Sequence, residues 1–184
     1  MVSTWGSGMI SRVTVLAVVL ALAVNVAARA GPVNDFIKAQ FKEPVSVQSV
    51  TVTGEVARLC VEVLGRPYPY GTIQYWGNSD RNVWVLAAQG KHGLIIAGFA
   101  VEDARIRNAG VLADREQRGR PIRSRRFLQQ FQGIGLRRKG KLTGRIDAIT
   151  GATISSTAMK KMAVLALHLD ALCRSECEGT AKDQ

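Results

Sequence analysis

The spacing of hydrophobic and polar residues changes several times in the first third of the chain. Residues 33–41 and 56–64 carry apolar side chains at intervals that predict two short helices. Between them, residues 45–52 alternate apolar and polar side chains, which predicts a half-buried strand. Gly65 suits a left-handed cap after the second helix, and Pro67 cannot prolong that helix.

A series of β-rich runs follows this helix. Residues 72–76, 82–88 and 94–101 are separated by short turns rich in glycine and polar residues, and residues 104–113 form a fourth run. Strands joined by such short turns pair in an antiparallel manner. With helices at both ends, the pattern predicts an α+β fold with one antiparallel sheet in a single domain.

A long amphipathic helix is predicted near the C-terminus, beginning among residues 153–156. One stripe of it is apolar, at alternating spacings of four and three, and faces the core: Ala158, Met162, Leu165, Leu169 and Leu172. Lys160, Lys161 and His168 lie on its other faces. Upstream, a short segment that is helical in pattern contributes three further core residues: Phe127, Leu128 and Phe131.

The first thirty residues have the organisation of a targeting segment. Arg12 precedes the almost wholly apolar residues 13–24, and Ala28-Arg29-Ala30 offers a peptidase cleavage position before Gly31. We therefore predict a signal peptide over residues 1–30, or an uncleaved N-terminal anchor, followed by one exported domain over residues 31–184. The predicted location is the periplasm or the outer face of the inner membrane.

Composition and charge narrow the classes of partner. Of the 184 residues, 47% are hydrophobic and 21% charged, as in a globular protein, and the formal net charge is +11. Residues 105–145 hold thirteen lysines and arginines against two acids. Such a segment suits an acidic protein, an anionic lipid surface or a phosphate group. Since the domain is predicted to be exported, nucleic acid is not the expected partner.

Cysteine and histidine exclude several cofactors. Three cysteines are too few for a four-cysteine iron–sulfur cluster, and no Cys-x-x-Cys-His attaches haem. Cys173 and Cys177 could form a disulfide in an oxidising compartment, and Cys60 is then expected to be a buried thiol. His92 and His168 lack zinc-type spacing. No metal site is predicted.

Residues 134–144 form a basic, glycine-rich loop that departs from known phosphate-binding loops. The pattern Gly-x-x-x-x-Gly-Lys-Ser/Thr is not matched, and no Gly-x-Gly-x-x-Gly follows a strand. A nucleotide-hydrolysing enzyme and a dinucleotide-binding domain are therefore unsupported. No acid/base pair suggests a substrate-specific enzyme either.

The most informative stretch is residues 147–156, with the sequence DAITGATISS, immediately before the long helix. A helix start offers unpaired amide donors and a partial positive charge, and the small Gly151-Ala152 pair lets a bulky group approach the backbone. The same residues also suit an ordinary helix capped by serine or threonine. Local physics leaves both interpretations open.

This stretch resembles the flavinylation motif of the FMN-binding domain family, in which Asp and three residues precede Gly-Ala-Thr. The family is met in the NqrC and RnfG subunits of bacterial redox complexes and in small exported proteins. Further short stretches are similar to the exported branch: Leu64-Gly65, Tyr75-Trp76, Val83-Trp84-Val85-Leu86 and Arg126-Phe127-Leu128. The resemblance runs from about residue 61 to residue 172.

The resemblance implies a covalent cofactor. Family members carry FMN joined through its phosphate to the hydroxyl of the motif threonine, which is Thr153 here, and a flavin transferase using FAD and magnesium makes the bond. It implies six further FMN-binding positions in the same segment. Asp147, Gly151 and Ala152 would be recognised by the transferase. Thr150 and Ser155 would neighbour the phosphate, and Ser156 completes the set. Arg145 and the helix start would favour the negative phosphodiester. Contacts from Arg137, Arg138 or Lys139 are not implied.

The resulting functional expectation is an exported FMN-bearing electron carrier. Flavin supplies redox chemistry that side chains lack. Its expected partners are the flavin transferase and a membrane-bound or periplasmic redox partner, with the basic segment facing an acidic partner or the anionic membrane surface. The alternatives are a non-redox sensory or adaptor module of a membrane complex, and a binder of anionic lipid or nucleic acid without flavin.

Overall fold

Five antiparallel strands and four α-helices make up the described part of this computed structural model, which covers residues 30–78, 80–114, 121–138 and 140–180. The helices are α1 (Ala30–Lys38), α2 (Gly54–Leu64), α3 (Arg125–Gln129) and α4 (Thr153–Thr180). The strands are β1 (Val47–Thr51), β2 (Thr72–Gly77), β3 (Arg81–Gln89), β4 (Leu94–Glu102) and β5 (Arg105–Ala113). The predicted α+β class and the predicted elements are confirmed, with ends shifted by up to three residues.

The strands form a single meander in which spatial order follows chain order, β1-β2-β3-β4-β5. The centre of the sheet is the β3–β4 hairpin, paired from Arg81↔Glu102 to Gln89↔Leu94. β2 pairs with β3 only as far as Gln74↔Val85, so the last part of β3 extends beyond it.

The main core lies between the sheet and α4. Trp84 and Phe99 project from β3 and β4 and are fully buried, as are Met162 and Leu165 of α4. The predicted apolar stripe of α4 is confirmed at four positions, while Leu172 is only partly buried. Burying such large side chains stabilises the fold by about 1.5–3 kcal/mol each.

Phe127 and Phe131 close one end of this core. Both rings are buried, and they meet edge to face with centroids 5.4 Å apart. The prediction that these aromatic residues belong to the core is confirmed. Their helix, α3, follows a short 3₁₀ helix at Pro121–Arg123.

Helix α1 covers the opposite face of the sheet. Its Phe36 ring rests on Gly98 of β4 and Gly110 of β5, which are register partners. A Cβ at Gly98 would lie 2.6 Å from the Phe36 ring, and one at Gly110 would lie 2.8 Å from it. The two glycines therefore leave room for one aromatic side chain that anchors the N-terminal helix.

A buried polar cluster fixes the register between α4 and the sheet. Asp170 is 1% exposed, and its carboxylate accepts hydrogen bonds from Asn82 Nδ2 at 2.7 Å and Arg174 Nε at 2.9 Å. Arg174 also donates to the Asp80 carbonyl. Because buried charge is costly without partners, this cluster holds α4 in one position along β3.

None of the helices in the described ranges is both long and apolar enough to cross a membrane. The predicted signal peptide, residues 1–29 of which are not described, lies almost wholly outside these ranges. Cys60 is buried as expected, and desolvation raises the pKa of its thiol. The Cys177 side chain lies outside the described part of the chain, so the structure does not test whether it pairs with Cys173.

Candidate cofactor-binding site

A tight turn presents the start of α4. The Ala152 amide donates to the Ile149 carbonyl at 2.9 Å, and Gly151 has a φ of +81°. This hydrogen bond closes a four-residue turn over residues 149–152. A positive φ at the third residue, Gly151, is typical of a type II turn and favours glycine there. Gly151 is therefore set by backbone geometry, and no heavy atom lies within 4 Å of the position its Cβ would take.

Thr153 is the first residue of α4. The Ala152 carbonyl accepts from the Ser156 amide at 2.9 Å, which makes Ala152 the N-cap. Alanine supplies no side-chain acceptor for the first amides of the helix, unlike the serine, threonine or aspartate usual at this position. Thr153 and Ile154 at this helix start are exposed, and the positive end of the helix dipole favours an external anion there.

The two motif serines point into the protein. Ser155 and Ser156 are 1% and 0% exposed. Ser156 Oγ accepts a hydrogen bond from the Ile149 amide at 3.1 Å, which ties the turn to the helix behind it. Ser156 thus holds the turn in place, and the FMN-binding roles predicted for Ser155 and Ser156 stay predictions.

Thr153 is exposed and lines a cavity of about 400 Å³. The cavity lies between the start of α4, the segment after α2 and the end of the β3–β4 hairpin. Most of its wall is apolar, with these side chains: Leu64, Pro67, Pro69, Ala87, Ala88, Leu94, Ile154 and Ala158. Ile154 is 56% exposed, a high value for a large hydrophobic side chain. A concave apolar site of this size suits a small ligand or cofactor.

The wall after α2 is held against the sheet by Tyr68. Its hydroxyl accepts a hydrogen bond from the Ala87 amide at 3.0 Å, at the part of β3 that β2 does not reach. Burial raises the pKa of the Tyr68 phenol above its ordinary value. Pro67 and Pro69 flank this residue, so the single hydrogen bond positions a stiff stretch of the cavity wall.

A second long-range contact joins the same wall to α4. Lys161 Nζ donates to the Leu64 carbonyl at 2.8 Å, at the last residue of α2. Gly65 follows with a φ of +77°, and its amide donates to the Val61 carbonyl, so the predicted left-handed cap is confirmed. The ammonium satisfies a carbonyl that the helix end would leave unpaired.

The charged side chains of the cavity wall are Arg66 and Lys161. Among the lining residues that the structure describes, there is no aspartate or glutamate. A neighbouring cleft of about 260 Å³ shares Lys161 with the cavity and is also lined by Glu62, Lys160 and His168. The cavity therefore has a positive electrostatic character suited to an anionic or electron-accepting ligand.

The remaining predicted site residues are exposed and are not among those that line the cavity. Asp147 and Thr150 are exposed, and Asp147 Oδ1 accepts from Arg145 Nε at 2.8 Å. The Asp147 amide donates to Gln130 Oε1 at 2.8 Å, so its backbone is fixed while its carboxylate faces solvent. The Asp147 carboxylate is therefore accessible from solvent.

The basic loop of residues 134–144 folds as a small hairpin on the edge of the sheet. Ile106 of β5 donates to the Ile134 carbonyl at 2.8 Å, and within the hairpin Thr143 donates to the Gly135 carbonyl at 2.9 Å. The Arg137 guanidinium donates to the Thr143 carbonyl of the same hairpin. The segment therefore forms a hairpin in the part that the structure describes, while Lys139 lies outside the described residues.

Sequence reasoning located the motif but missed the opposite wall of the cavity. The sequence motif assigns no role in the site to Arg66 or Lys161, although both line the cavity with Thr153. Pro67 and Pro69, which follow the Gly65 cap within four residues, are the sequence signal that points to this wall. Two prolines so close together make a rigid connection rather than a flexible loop.

One comparison with known proteins found a match to part of the chain. Residues 90–168 match the family model described as an FMN-binding domain. The matched range includes the β3–β4 turn, β4, β5 and the start of α4 with Thr153. It supports a flavin-binding protein whose cofactor is FMN. No curated protein matches the chain.

Proposed function

We propose that this chain is an exported flavoprotein in which FMN is covalently attached through its phosphate to Thr153 Oγ1 and serves as an electron carrier. The observation that carries the proposal is the place of Thr153. An exposed hydroxyl stands at a helix start, at the mouth of an apolar cavity, inside the range that matches the FMN-binding domain.

The chemistry of the cavity residues fits FMN. The flavin ring system is planar and largely apolar, in keeping with the Leu64, Pro67 and Leu94 walls. The phosphate would lie at the first turn of α4, where the partial positive charge of the helix favours an anion. The bound flavin supplies the redox chemistry, and the chain supplies its attachment point and its electrostatic surroundings.

Attachment requires a second protein. In the proposed reaction, the Thr153 hydroxyl loses its proton and forms a bond to the FMN phosphorus of FAD, while the pyrophosphate bond breaks and AMP leaves. The exposed Asp147 carboxylate, at 68% exposure, and the turn at Gly151 are accessible to such a transferase. Export to the periplasm places the reaction there, as in the small exported branch of the family.

The test of attachment is the Thr153→Ala variant, coexpressed with a flavin transferase in the exported compartment. Wild-type protein is expected to be yellow, heavier by one FMN and fluorescent on a denaturing gel, and the variant to lose all three properties. Thr157→Ala, which removes another threonine hydroxyl lining the cavity, is the matched control and keeps the flavin. Fluorescence retained by Thr153→Ala would overturn the assignment.

The redox partner is proposed to be an acidic protein or the anionic membrane surface, met by the basic segment. Arg138 and Lys141 are exposed, and neither side chain has an ion pair within the described residues. Exposed charge of one sign accelerates encounter with an oppositely charged partner through its long-range field. Both residues belong to the hairpin of residues 134–144, which lies at the edge of the sheet beside β5.

Charge reversal tests the partner surface. Arg138→Glu with Lys141→Glu is expected to slow reoxidation of the reduced protein by its partner in stopped-flow measurements and to weaken the dependence of that rate on ionic strength. The control is Lys38→Glu with Lys42→Glu, which changes net charge equally at exposed positions outside the segment. Equal rates and salt slopes in both double variants would exclude this surface.

A further inference from the structure

Two cations and no carboxylate line the cavity that the proposed function assigns to FMN. Arg66 is exposed, so solvent screens most of its charge. Lys161 is half-buried and lies in the third turn of α4, about two turns after Thr153. The positive potential of the cavity therefore comes chiefly from one side chain.

The ammonium of Lys161 is held at one place. Its hydrogen bond to the Leu64 carbonyl spans the gap between α4 and the end of α2. A Cβ added to Gly65 would lie 3.3 Å from Nζ, so the neighbouring backbone also closes around the ammonium. Lysine has three donors, and the Leu64 carbonyl uses one of them. A fixed charge interacts with a ligand more strongly than one that rotates into solvent.

Charges around Lys161 do not neutralise the cavity. Glu62 lines the adjacent cleft but not the cavity, and its side chain is exposed. Lys160 lies in the same cleft and offsets the Glu62 charge. The structure shows no ion pair to Lys161 within the described residues.

We propose that Lys161 sets the reduction potential of the bound flavin. Reduction adds two electrons from a reductant and one proton from water, which bonds to N5 of the ring and leaves a negative charge on the ring when N1 is not protonated. A fixed cation in the wall stabilises this charged product over the neutral oxidised ring. This inference rests on the proposed function, and it identifies Lys161 as the residue that adjusts the reduction potential of the flavin.

The experiment measures the midpoint potential of the FMN-loaded protein, with sodium dithionite as reductant and absorbance as readout. Lys161→Met, which keeps most of the side-chain stem, is expected to weaken the preference for reduced flavin about tenfold. That factor equals a potential lower by about 30 mV for a two-electron couple. Lys161→Arg is expected to restore the wild-type value, because it returns the charge.

The matched control is Lys160→Met, one residue away on the same helix. It removes the same charge from the protein but lies in the cleft and not in the cavity. Its potential is expected to stay at the wild-type value. Thermal melting is recorded for every variant, because loss of the Leu64 hydrogen bond lowers stability in Lys161→Met whether or not the potential changes.

The outcomes separate the two proposals. Wild-type protein without flavin on a denaturing gel would overturn the proposed function and this inference with it. If the flavin is present but Lys161→Met and wild type have equal midpoint potentials, only the role of Lys161 is overturned. The same conclusion follows if Lys160→Met shifts the potential as much as Lys161→Met does. If Lys161→Met does not fold, Lys161→Gln keeps a donor toward the Leu64 carbonyl without the charge, and the same comparison decides.

Discussion

Removal of the Tyr68 hydroxyl tests whether the cavity wall depends on a single hydrogen bond. In Tyr68→Phe the ring remains, but the Ala87 amide loses its acceptor. Ala87 is 2% exposed, and β2 ends its pairing with β3 two residues earlier, at Val85. Within the described residues, no strand partner can therefore replace the hydroxyl as acceptor. A buried donor left unsatisfied costs about 1–3 kcal/mol.

This cost is measurable as a change in melting temperature. For a domain of this size, each kcal/mol corresponds to roughly 2–4 °C. The measurement uses calorimetry in a Thr153→Ala background, so that bound flavin does not contribute to stability. The control is Tyr70→Phe, because Tyr70 is 45% exposed and lies edge to face with Tyr68 at 6.1 Å. Removal of its hydroxyl is expected to leave the melting temperature unchanged.

The pH dependence gives a second signature. Because burial raises the folded-state pKa of Tyr68, the stability that this neutral phenol contributes is fully present below about pH 10, the pKa of the unfolded chain, and declines at higher pH. Phenylalanine has no such titration, so the stability gap between wild type and Tyr68→Phe should narrow above pH 10. Equal melting temperatures for Tyr68→Phe and wild type at pH 7 would refute the reasoning.

Two further substitutions separate backbone geometry from recognition in the motif. Gly151→Ala should destabilise the fold by about 1–2 kcal/mol, because alanine disfavours the positive φ at this position, and it should reduce flavin attachment. Gly133→Ala is the control, because Gly133 has a φ of +76° and equally open space around it. It should lower the free energy of unfolding in urea by the same amount but attach flavin normally. Asp147→Ala should impair flavin attachment by the transferase, while its melting curve stays nearly unchanged because the Asp147 ion pair is exposed. The control is Asp103→Ala, which removes another exposed ion pair and should attach flavin fully. Normal attachment in Asp147→Ala would make that residue only part of a turn.

The amino-acid sequence by itself determined the order and type of the elements. The β-rich runs between turns and the four-and-three spacing in α4 are local patterns, because they follow from which side chains each element buries. Gly65 could be assigned to a helix cap because few other residues adopt a positive φ, whereas the turn at Gly151 was not predicted from the sequence. The motif placed Thr153 at a helix start, and the helix does begin there.

Only the tertiary structure decided what surrounds Thr153. The cavity joins the segment after α2 to α4 through the Lys161 and Leu64 contact, which links residues 97 positions apart. The hydrogen bond from Ala87 to Tyr68 depends on where β2 stops pairing with β3, which is a property of the assembled sheet. Neither contact leaves a periodic signal, because each involves a single side chain whose partner is set by packing between distant elements. The sequence thus places Thr153 at a helix start, whereas folding creates the wall and the charge that face it.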